Sequence, residues 1–161
     1  MNIKEEIKNL KIETPSWGYS NSGTRFMTFC DEGAPRTIFE KLDDAAQVNQ
    51  YTGVCESVAI HIPWDKTDDY ESLAVYAKKL GLKIGAVNPN LAQEPEYKFG
   101  SLTNSNEKYR RKAIEHIKEC IDIAKITGSR DISLWMPDGT NYSGQGNFIK
   151  RKAALEESLH E

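Results

Sequence analysis

Four short apolar segments alternate with longer amphipathic segments along the chain. Each short segment has the length and apolar content of a buried strand, and each contains or precedes a Pro, Gly or Asn breaker. The four segments are KIETPSWG (11–18), SVAIHI (57–62), LKIGAV (82–87) and DISLWM (131–136). Short apolar runs of this kind are typical of strands covered on both faces of a sheet. The pattern therefore predicts four short strands.

The longer segments repeat apolar residues at helical spacing, which predicts helices over 36–53, 68–80, 106–127 and 149–161. Asp68 is the expected cap of the second helix, because Glu71 follows three residues later in capping-box position. Gly128 is the expected end of the third helix. Strands that alternate with helices in this way favour a parallel sheet with right-handed crossover helices.

Chain length limits the architecture that this alternation can build. A (β/α)₈ barrel needs roughly 200–250 residues, and the 161 residues here hold about four β-α units. We therefore expect an α/β fold that forms the N-terminal half of a (β/α)₈ TIM barrel, as one partial domain over 1–161. The helical pattern runs to Glu161 without a breaker, so we expect that the chain is truncated after the fourth βα unit.

Charge, apolar content and cysteine spacing argue against a nucleic-acid partner and a membrane span, and they indicate a compartment. The net charge is −3 and the only basic clump is KYRRK (108–112), which argues against a nucleic-acid partner. No apolar run is long enough to span a bilayer, and the first residues, MNIKEEIKNLKIE, are charged rather than signal-like. Three widely spaced cysteines without a CxxC motif predict a reduced, cytoplasmic protein.

Polar or aromatic residues recur where each predicted strand ends: Ser16 and Trp17, His61 and Trp64, Asn88 and Asn90, Trp135 and Asp138. In a barrel the carboxyl ends of the strands meet on one face, so these side chains are expected to converge there. Each position also has a structural interpretation. The indoles would plug the barrel, the asparagines would form a turn around Pro89, and His61 would be a buried core histidine.

The residue types at these strand ends favour a sugar as ligand. Aromatic faces pack against the C–H faces of a sugar ring, and imidazole and amide groups bind its hydroxyls. The candidates are Trp17, Phe26, His61, Trp64 and Trp135. A phosphate site is not indicated, because SNSGTRF (20–26) has neither a lysine nor the strand-to-helix spacing of a phosphate loop. No metal site can be assembled from the spacing of the acidic residues and histidines.

Seven motifs in this order resemble the L-rhamnose isomerase family, of the bacterial type with broad sugar specificity: PSWG, GTRF, KLDD, HIPWD, YKFGSL, ECIDIAK and LWMPDGTNYSGQ. The likeness runs from about Thr14 to the end of the chain. The family has the xylose-isomerase-like (β/α)₈ barrel. The resemblance implies an aldose–ketose isomerase that converts L-rhamnose, and other aldoses, into ketoses with Mn²⁺, commonly as a homotetramer.

The resemblance also implies roles for individual residues. His61 matches the catalytic-site histidine that hydrogen-bonds the ring end of the sugar and assists ring opening, and Trp17, Phe26, Trp64 and Trp135 match aromatic residues of the pocket wall. From its spacing alone, Asp65 is expected either to orient the His61 imidazole or to lie at the surface.

Two departures from the family pattern are visible. An aromatic residue often follows the N-x-N stretch, whereas Leu91 and Ala92 stand here. The metal ligands and catalytic lysine of the family come from later strands, so the resemblance places none of the Mn²⁺ ligands in this chain. Two alternatives stay open: another sugar isomerase or epimerase of the same barrel superfamily, and a non-catalytic carbohydrate-binding half-barrel.

Overall fold

The structure of the protein is a computed structural model that describes residues 3–21, 29–138 and 146–161. Within these residues the chain forms helices α1 (Ile3–Lys8), α2 (Ile38–Thr52), α3 (Tyr70–Lys79), α4 (Glu107–Thr127) and α5 (Phe148–His160), and strands β1 (Glu13–Pro15), β2 (Ser57–Ile62) and β3 (Lys83–Pro89). Two 3₁₀ helices span Ser16–Tyr19 and Pro95–Phe99. None of the helices in the described ranges is long and apolar enough to cross a membrane.

The strands form one parallel sheet in the order β1-β2-β3, with Glu13 opposite Ser57 and Ser57 opposite Lys83. Helices α2 and α3 connect consecutive strands, as the alternating pattern predicts. The order of the strands in the sheet is therefore their order in the chain. The α/β fold with a parallel sheet and crossover helices is confirmed.

The fourth predicted strand is joined to the sheet at a single position. Ile132 forms a parallel bridge with Val87, where the Val87 N–H donates to Asp131 and the Ser133 N–H donates to Val87. The next donor on β3 would be Pro89, which has no N–H. The ladder stops there for that reason, and the chain beyond Ser133 is extended without being a strand.

Helix ends follow local side-chain chemistry. Thr37 and Glu40 form a capping box at the start of α2, and Asn106 caps α4 by accepting a hydrogen bond from Lys108 N–H. Gly128 ends α4 at φ 76°, a left-handed conformation that favours glycine. The cap of α3 is Asp69 rather than Asp68, because the Asp69 carboxylate accepts hydrogen bonds from both the N–H and the hydroxyl of Ser72.

The main core lies between the sheet and helices α2, α3 and α4, and a second apolar cluster forms beside the amino-terminal half of α4. Leu42, Val58, Ile60, Ile62, Leu73 and Val87 have no exposed surface in the main core. Leu134 and Met136 pack against the second cluster. The alternate residues of this extended segment, Ser133 and Trp135, therefore lie on the opposite side, at the carboxyl end of the sheet.

Candidate functional site

A cleft of about 290 Å³ lies at the carboxyl end of the sheet. All three tryptophans of the chain line it, together with His61 and the amide side chains of Asn88, Asn90 and Gln93. Its surface is therefore mostly apolar and rich in aromatic rings, with a few polar groups.

The sequence-predicted residues reach the cleft from separate β-α units. Trp17 lies on the 3₁₀ helix that follows β1, His61 lies in β2, Trp64 lies in the turn after β2, and Trp135 lies beyond the Ile132 bridge. Phe26 lies outside the described residues. Asp138 does not line the cleft. Its carboxylate accepts hydrogen bonds from the N–H and hydroxyl groups of Ser101 and Thr103, which fastens the chain after Trp135 to the loop before α4.

His61, Trp64 and Trp17 form one aromatic cluster in the cleft. The His61 and Trp64 rings stack with centroids 3.7 Å apart and planes 19° apart. Trp17 meets His61 edge-on at 5.6 Å and Trp64 edge-on at 6.5 Å. Trp17 and Trp64 keep 38% and 48% of their surface exposed, so apolar area remains available to a ligand.

The imidazole of His61 is held in its neutral form. Burial lowers its pKa to about 4. Electrostatic interactions with His116 and Lys41 act in the same direction, while the charge of Asp65 opposes them. Nδ1 is buried without a hydrogen-bond partner among the described residues. A neutral imidazole offers one donor and one acceptor nitrogen, which suits it to bind a hydroxyl or accept its proton.

Asp65 is a buried hub beneath the cluster. Its carboxylate accepts hydrogen bonds from the Lys41 ammonium at 2.7 Å, from the main-chain N–H of His61 at 2.7 Å, and from the Ser16 hydroxyl. The Asp65 N–H donates in turn to the His61 carbonyl at 2.8 Å. Asp65 therefore holds the main chain of His61 and does not bond its imidazole. Both predictions for Asp65 are wrong, because it neither orients the imidazole nor lies at the surface.

Lys41 was not singled out by the strand-end rule, because it lies on α2. The sequence nevertheless carries a signal: Lys41 is three residues after Ile38 and four before Ala45, both of which are buried, so it falls on the apolar face of the helix. Its side chain is 7% exposed and that of Asp65 is 0% exposed. A lysine on the buried face of a helix needs a buried acceptor, and Asp65 is that acceptor.

Two amides beside Trp64 complete the wall of the cleft. The Gln93 side-chain oxygen accepts hydrogen bonds from the Trp64 indole N–H at 3.1 Å and from the Asn90 amide at 2.8 Å. The Asn90 oxygen accepts hydrogen bonds from the N–H groups of Ala92 and Gln93. Asn90 therefore forms a turn, as its structural interpretation predicts. Gln93 was missed by sequence reasoning, because no periodicity marks a residue of this loop.

A divalent cation does not fit the residues at hand. In the ranges 3–21, 29–138 and 146–161, no group of three or more His, Cys, Asp or Glu side chains could hold a metal ion. The arrangement instead suits a neutral polyhydroxylated ligand, because indole faces, a neutral imidazole and amides share one cleft.

Comparisons with known proteins give two kinds of likeness, and no protein-family model matches the chain. The chain is 41% identical over 153 residues to a probable sugar isomerase of Rhizobium meliloti (strain 1021), with 92% of this chain and 36% of the relative covered. It is 40% identical over 153 residues to a probable sugar isomerase of Mesorhizobium japonicum, with 92% and 35% covered. The chain thus spans about a third of the length of the curated relatives that it matches.

Among solved structures, the chain matches an L-ribulose 3-epimerase with a TM-score of 0.61 at 15% identity, over 93% of this chain and 43% of that one. It matches an AP endonuclease of family 2 from Brucella melitensis with a TM-score of 0.59 at 12% identity, over 93% and 48%. At these identities the likeness concerns the fold. The fold of this chain corresponds to part of a (β/α)₈ barrel.

Proposed function

We propose that this chain is the sugar-lining, N-terminal part of an isomerase that interconverts L-rhamnose and L-rhamnulose. The observation that carries the proposal is the cleft in which three indoles, a neutral imidazole and amides meet at the carboxyl end of a parallel sheet. Identity of 41% to a probable sugar isomerase supports an isomerase of sugars. The motifs HIPWD and LWMPDGTNYSGQ support L-rhamnose as the substrate.

The chain's own residues would bind the sugar and handle one of its protons. Trp17, Trp64 and Trp135 present apolar faces to the C–H faces of the ring. His61, neutral above about pH 5 since its pKa is about 4, can accept the proton of the C1 hydroxyl and return a proton to the ring oxygen as the bond between C1 and that oxygen breaks, which opens the ring. The open aldose is the form that isomerisation requires.

The manganese ion implied by the resemblance supplies polarisation of the sugar carbonyl when it is bound. The resemblance places its ligands on later strands of the barrel, and the residues that the structure describes offer no group of three or more ligand side chains for it. A cytoplasmic location, which the three widely spaced cysteines indicate, and a homotetramer, which the resemblance implies, complete the proposal.

The direct test is turnover by the protein expressed from its complete gene. We expect conversion of L-rhamnose to L-rhamnulose that is abolished by a chelator and restored by Mn²⁺. Comparative turnover of rhamnose, mannose and allose is the specificity test, since Ala92 lines the cleft where a larger side chain would narrow it. Preference for another aldose would replace L-rhamnose with that sugar. Saturable sugar binding without turnover would favour the non-catalytic carbohydrate-binding alternative.

The role of His61 has its own test. In the complete enzyme, His61→Ala is expected to lower kcat/KM by roughly a hundredfold, a typical effect of losing an acid–base group. Metal affinity should stay within about twofold of the wild type, because His61 belongs to no group of metal ligands in the described part of the chain. His160→Ala, at the exposed end of α5, is the matched control. Unchanged kinetics for His61→Ala would show that His61 is structural.

A further inference from the structure

Gln93 lies in the loop after β3, lines the cleft and contacts Trp64. Its side-chain oxygen receives two hydrogen bonds, from the Trp64 indole and from the Asn90 amide. An amide side chain has two acceptor sites on its oxygen and two donors on its nitrogen. The two hydrogen bonds therefore occupy both acceptor sites of the Gln93 oxygen. The two donors on the Gln93 nitrogen take part in neither of them.

The chemistry of the neighbours fixes the orientation of the Gln93 amide. An indole N–H can only donate, so the atom of Gln93 that faces Trp64 must be the oxygen. Asn90 is fixed as well, because its own oxygen accepts from the N–H groups of Ala92 and Gln93 and only its nitrogen is left to face the Gln93 side chain. Exchanging the oxygen and nitrogen of Gln93 would set donor against donor at both contacts.

This orientation gives the cleft a defined hydrogen-bonding polarity. No described residue accepts a hydrogen bond from the Gln93 amide nitrogen, so its donors are available to a ligand. Asn88, which also lines the cleft, has the opposite polarity, because its nitrogen donates to the carbonyls of Ile60 and Ala86. Its oxygen accepts from no residue in the described part of the chain.

We propose that Gln93 contacts the bound sugar as a hydrogen-bond donor, and that Asn90 and Trp64 hold it in that role. The proposal rests on the proposed function in taking a sugar as the ligand. Gln93, in the loop after β3, then has two roles. Its side-chain oxygen fixes the indole of Trp64, which stacks on His61, and its side-chain nitrogen donates a hydrogen bond to an acceptor oxygen of the sugar. Gln93 is thus a residue that binds substrate directly and positions Trp64.

Two substitutions separate these parts. Gln93→Glu keeps an oxygen for Trp64 and Asn90 but replaces the donor with an acceptor, whereas Gln93→Met removes both. With the complete protein, we expect each variant to weaken L-rhamnose binding roughly tenfold or more, since a ligand acceptor then lacks its donor. The probe is L-rhamnose that wild-type enzyme has already brought to equilibrium with its ketose. No net isomerisation then takes place during the titration, so the calorimeter records the heat of binding alone. Gln47→Glu, with the same charge change on the exposed face of α2, should bind within about twofold of wild type.

A second readout follows Trp64 directly. With 5-fluorotryptophan incorporated and the Trp64 resonance assigned by Trp64→Phe, we expect the ¹⁹F signal of Trp64 to stay in place in Gln93→Glu and to move in Gln93→Met. Wild-type affinity in Gln93→Glu would overturn the donor role, and an unmoved Trp64 signal in Gln93→Met would overturn the role of Gln93 in positioning Trp64.

The same titrations separate this proposal from the proposed function. Binding without turnover by the wild type would overturn the isomerase, while weak binding by both Gln93 variants would still support the donor. Turnover with unaltered affinity in both variants would overturn the donor alone. Absence of any L-rhamnose binding by the wild type would overturn both.

Discussion

At the scale of single residues, the chemistry of His61 is set by its surroundings. The ring stacks on Trp64 and meets the edge of Trp17, and this burial lowers its pKa to about 4. The nearby charge of Lys41 acts in the same direction, although the Asp65 carboxylate that pairs with it opposes the shift. A histidine that would be half-protonated near pH 6.5 in an unfolded chain is consequently neutral in the folded one.

This shift predicts a pH dependence of stability. The folded pKa of His61 lies below the unfolded value, so between about pH 6.5 and pH 4 the unfolded state binds more protons and the free energy of unfolding falls as the pH falls. Above about pH 6.5 the contribution is constant. His61→Gln removes it, so we expect the wild type to lose more of its urea midpoint between pH 7.5 and pH 5 than this variant does. Parallel losses in the two proteins would contradict the shifted pKa.

Some of the site residues could be predicted from the sequence because they obey a rule about strand ends. Trp17, Trp64 and Trp135 each lie within a few residues of a strand end or bridge, and the parallel sheet brings them to one cleft. Gln93 obeys no such rule. Its role depends on two donors that reach it from Asn90 and Trp64, and only the folded loop brings these together.

At the scale of elements, Asp65 joins three of them beneath the cleft. It holds the Ser16 hydroxyl next to Trp17, the Lys41 ammonium of α2 and the main chain of His61 at the end of β2. Since both charged side chains are nearly inaccessible to solvent, losing either one leaves the other charge buried without its partner.

Asp65→Asn is therefore expected to lower the free energy of unfolding by about 3 kcal/mol, as is typical when one member of a buried ion pair is removed. Lys41→Met in the same chain should restore part of that loss, because it removes the stranded ammonium. The measurement is a double-mutant cycle by urea denaturation. Additive losses would show that the two residues are not coupled.

An exposed ion pair provides the control for this cycle. Lys125 and Asp122 on α4 are 2.9 Å apart, but their side chains are 70% and 69% exposed. Surface pairs contribute little to stability, so Asp122→Asn should change the free energy of unfolding by less than about 0.5 kcal/mol.

At the opposite end of the sheet, Glu13 links all three strands. Its carboxylate accepts hydrogen bonds from the Ser57 hydroxyl of β2 at 2.7 Å and from the Ala86 N–H of β3 at 3.2 Å. It passes over Gly85, where an added Cβ would overlap the carboxylate. A glycine is thus required on β3 for the carboxylate of β1 to reach that strand.

Gly85→Ala should consequently destabilise the protein by about 1–3 kcal/mol, as overpacking generally does. The loss should shrink in a Glu13→Ala background, where the Cβ has less to displace. Gly33→Ala is the matched control, since nothing lies within 4 Å of a Cβ at that position. Urea midpoints are measured for the wild type, the two single variants, the double variant and the Gly33→Ala control. An equal loss with and without Glu13 would refute the overlap.

The ends of helices and strands were predictable from the sequence where a nearby side chain determines them. They were less predictable where contacts with another part of the fold determine them. Asn106 and Gly128 bound α4 as the sequence indicates, because cap and left-handed glycine are local features. The cap of α3 moved by one residue to Asp69, whose carboxylate takes two hydrogen bonds from Ser72. Hydrophobic content predicted a fourth strand, but Pro89 on the neighbouring strand interrupts its ladder.

At the scale of the whole molecule, large apolar side chains remain exposed on the segment that follows the Ile132 bridge and at the start of α5. Trp135 is 71% exposed, and Phe148 and Ile149 at the start of α5 are 82% and 83% exposed. The extended segment that carries Trp135 pairs with β3 on one side and with no described strand on the other. Exposed apolar surface next to an unpaired strand edge favours association with another chain.

We therefore predict that a protein of these 161 residues, expressed alone, self-associates in solution. Sedimentation velocity at micromolar concentration should show species larger than a monomer. Trp135→Lys should shift the distribution towards the monomer, because it puts a charge on the apolar edge. Val75→Lys is the matched control: Val75 is 69% exposed, but it lies on α3 and lines no part of the cleft. A sharp monomer boundary for the unsubstituted protein, together with one cooperative thermal transition, would show that the exposed edge tolerates water and that this part of the barrel is stable by itself.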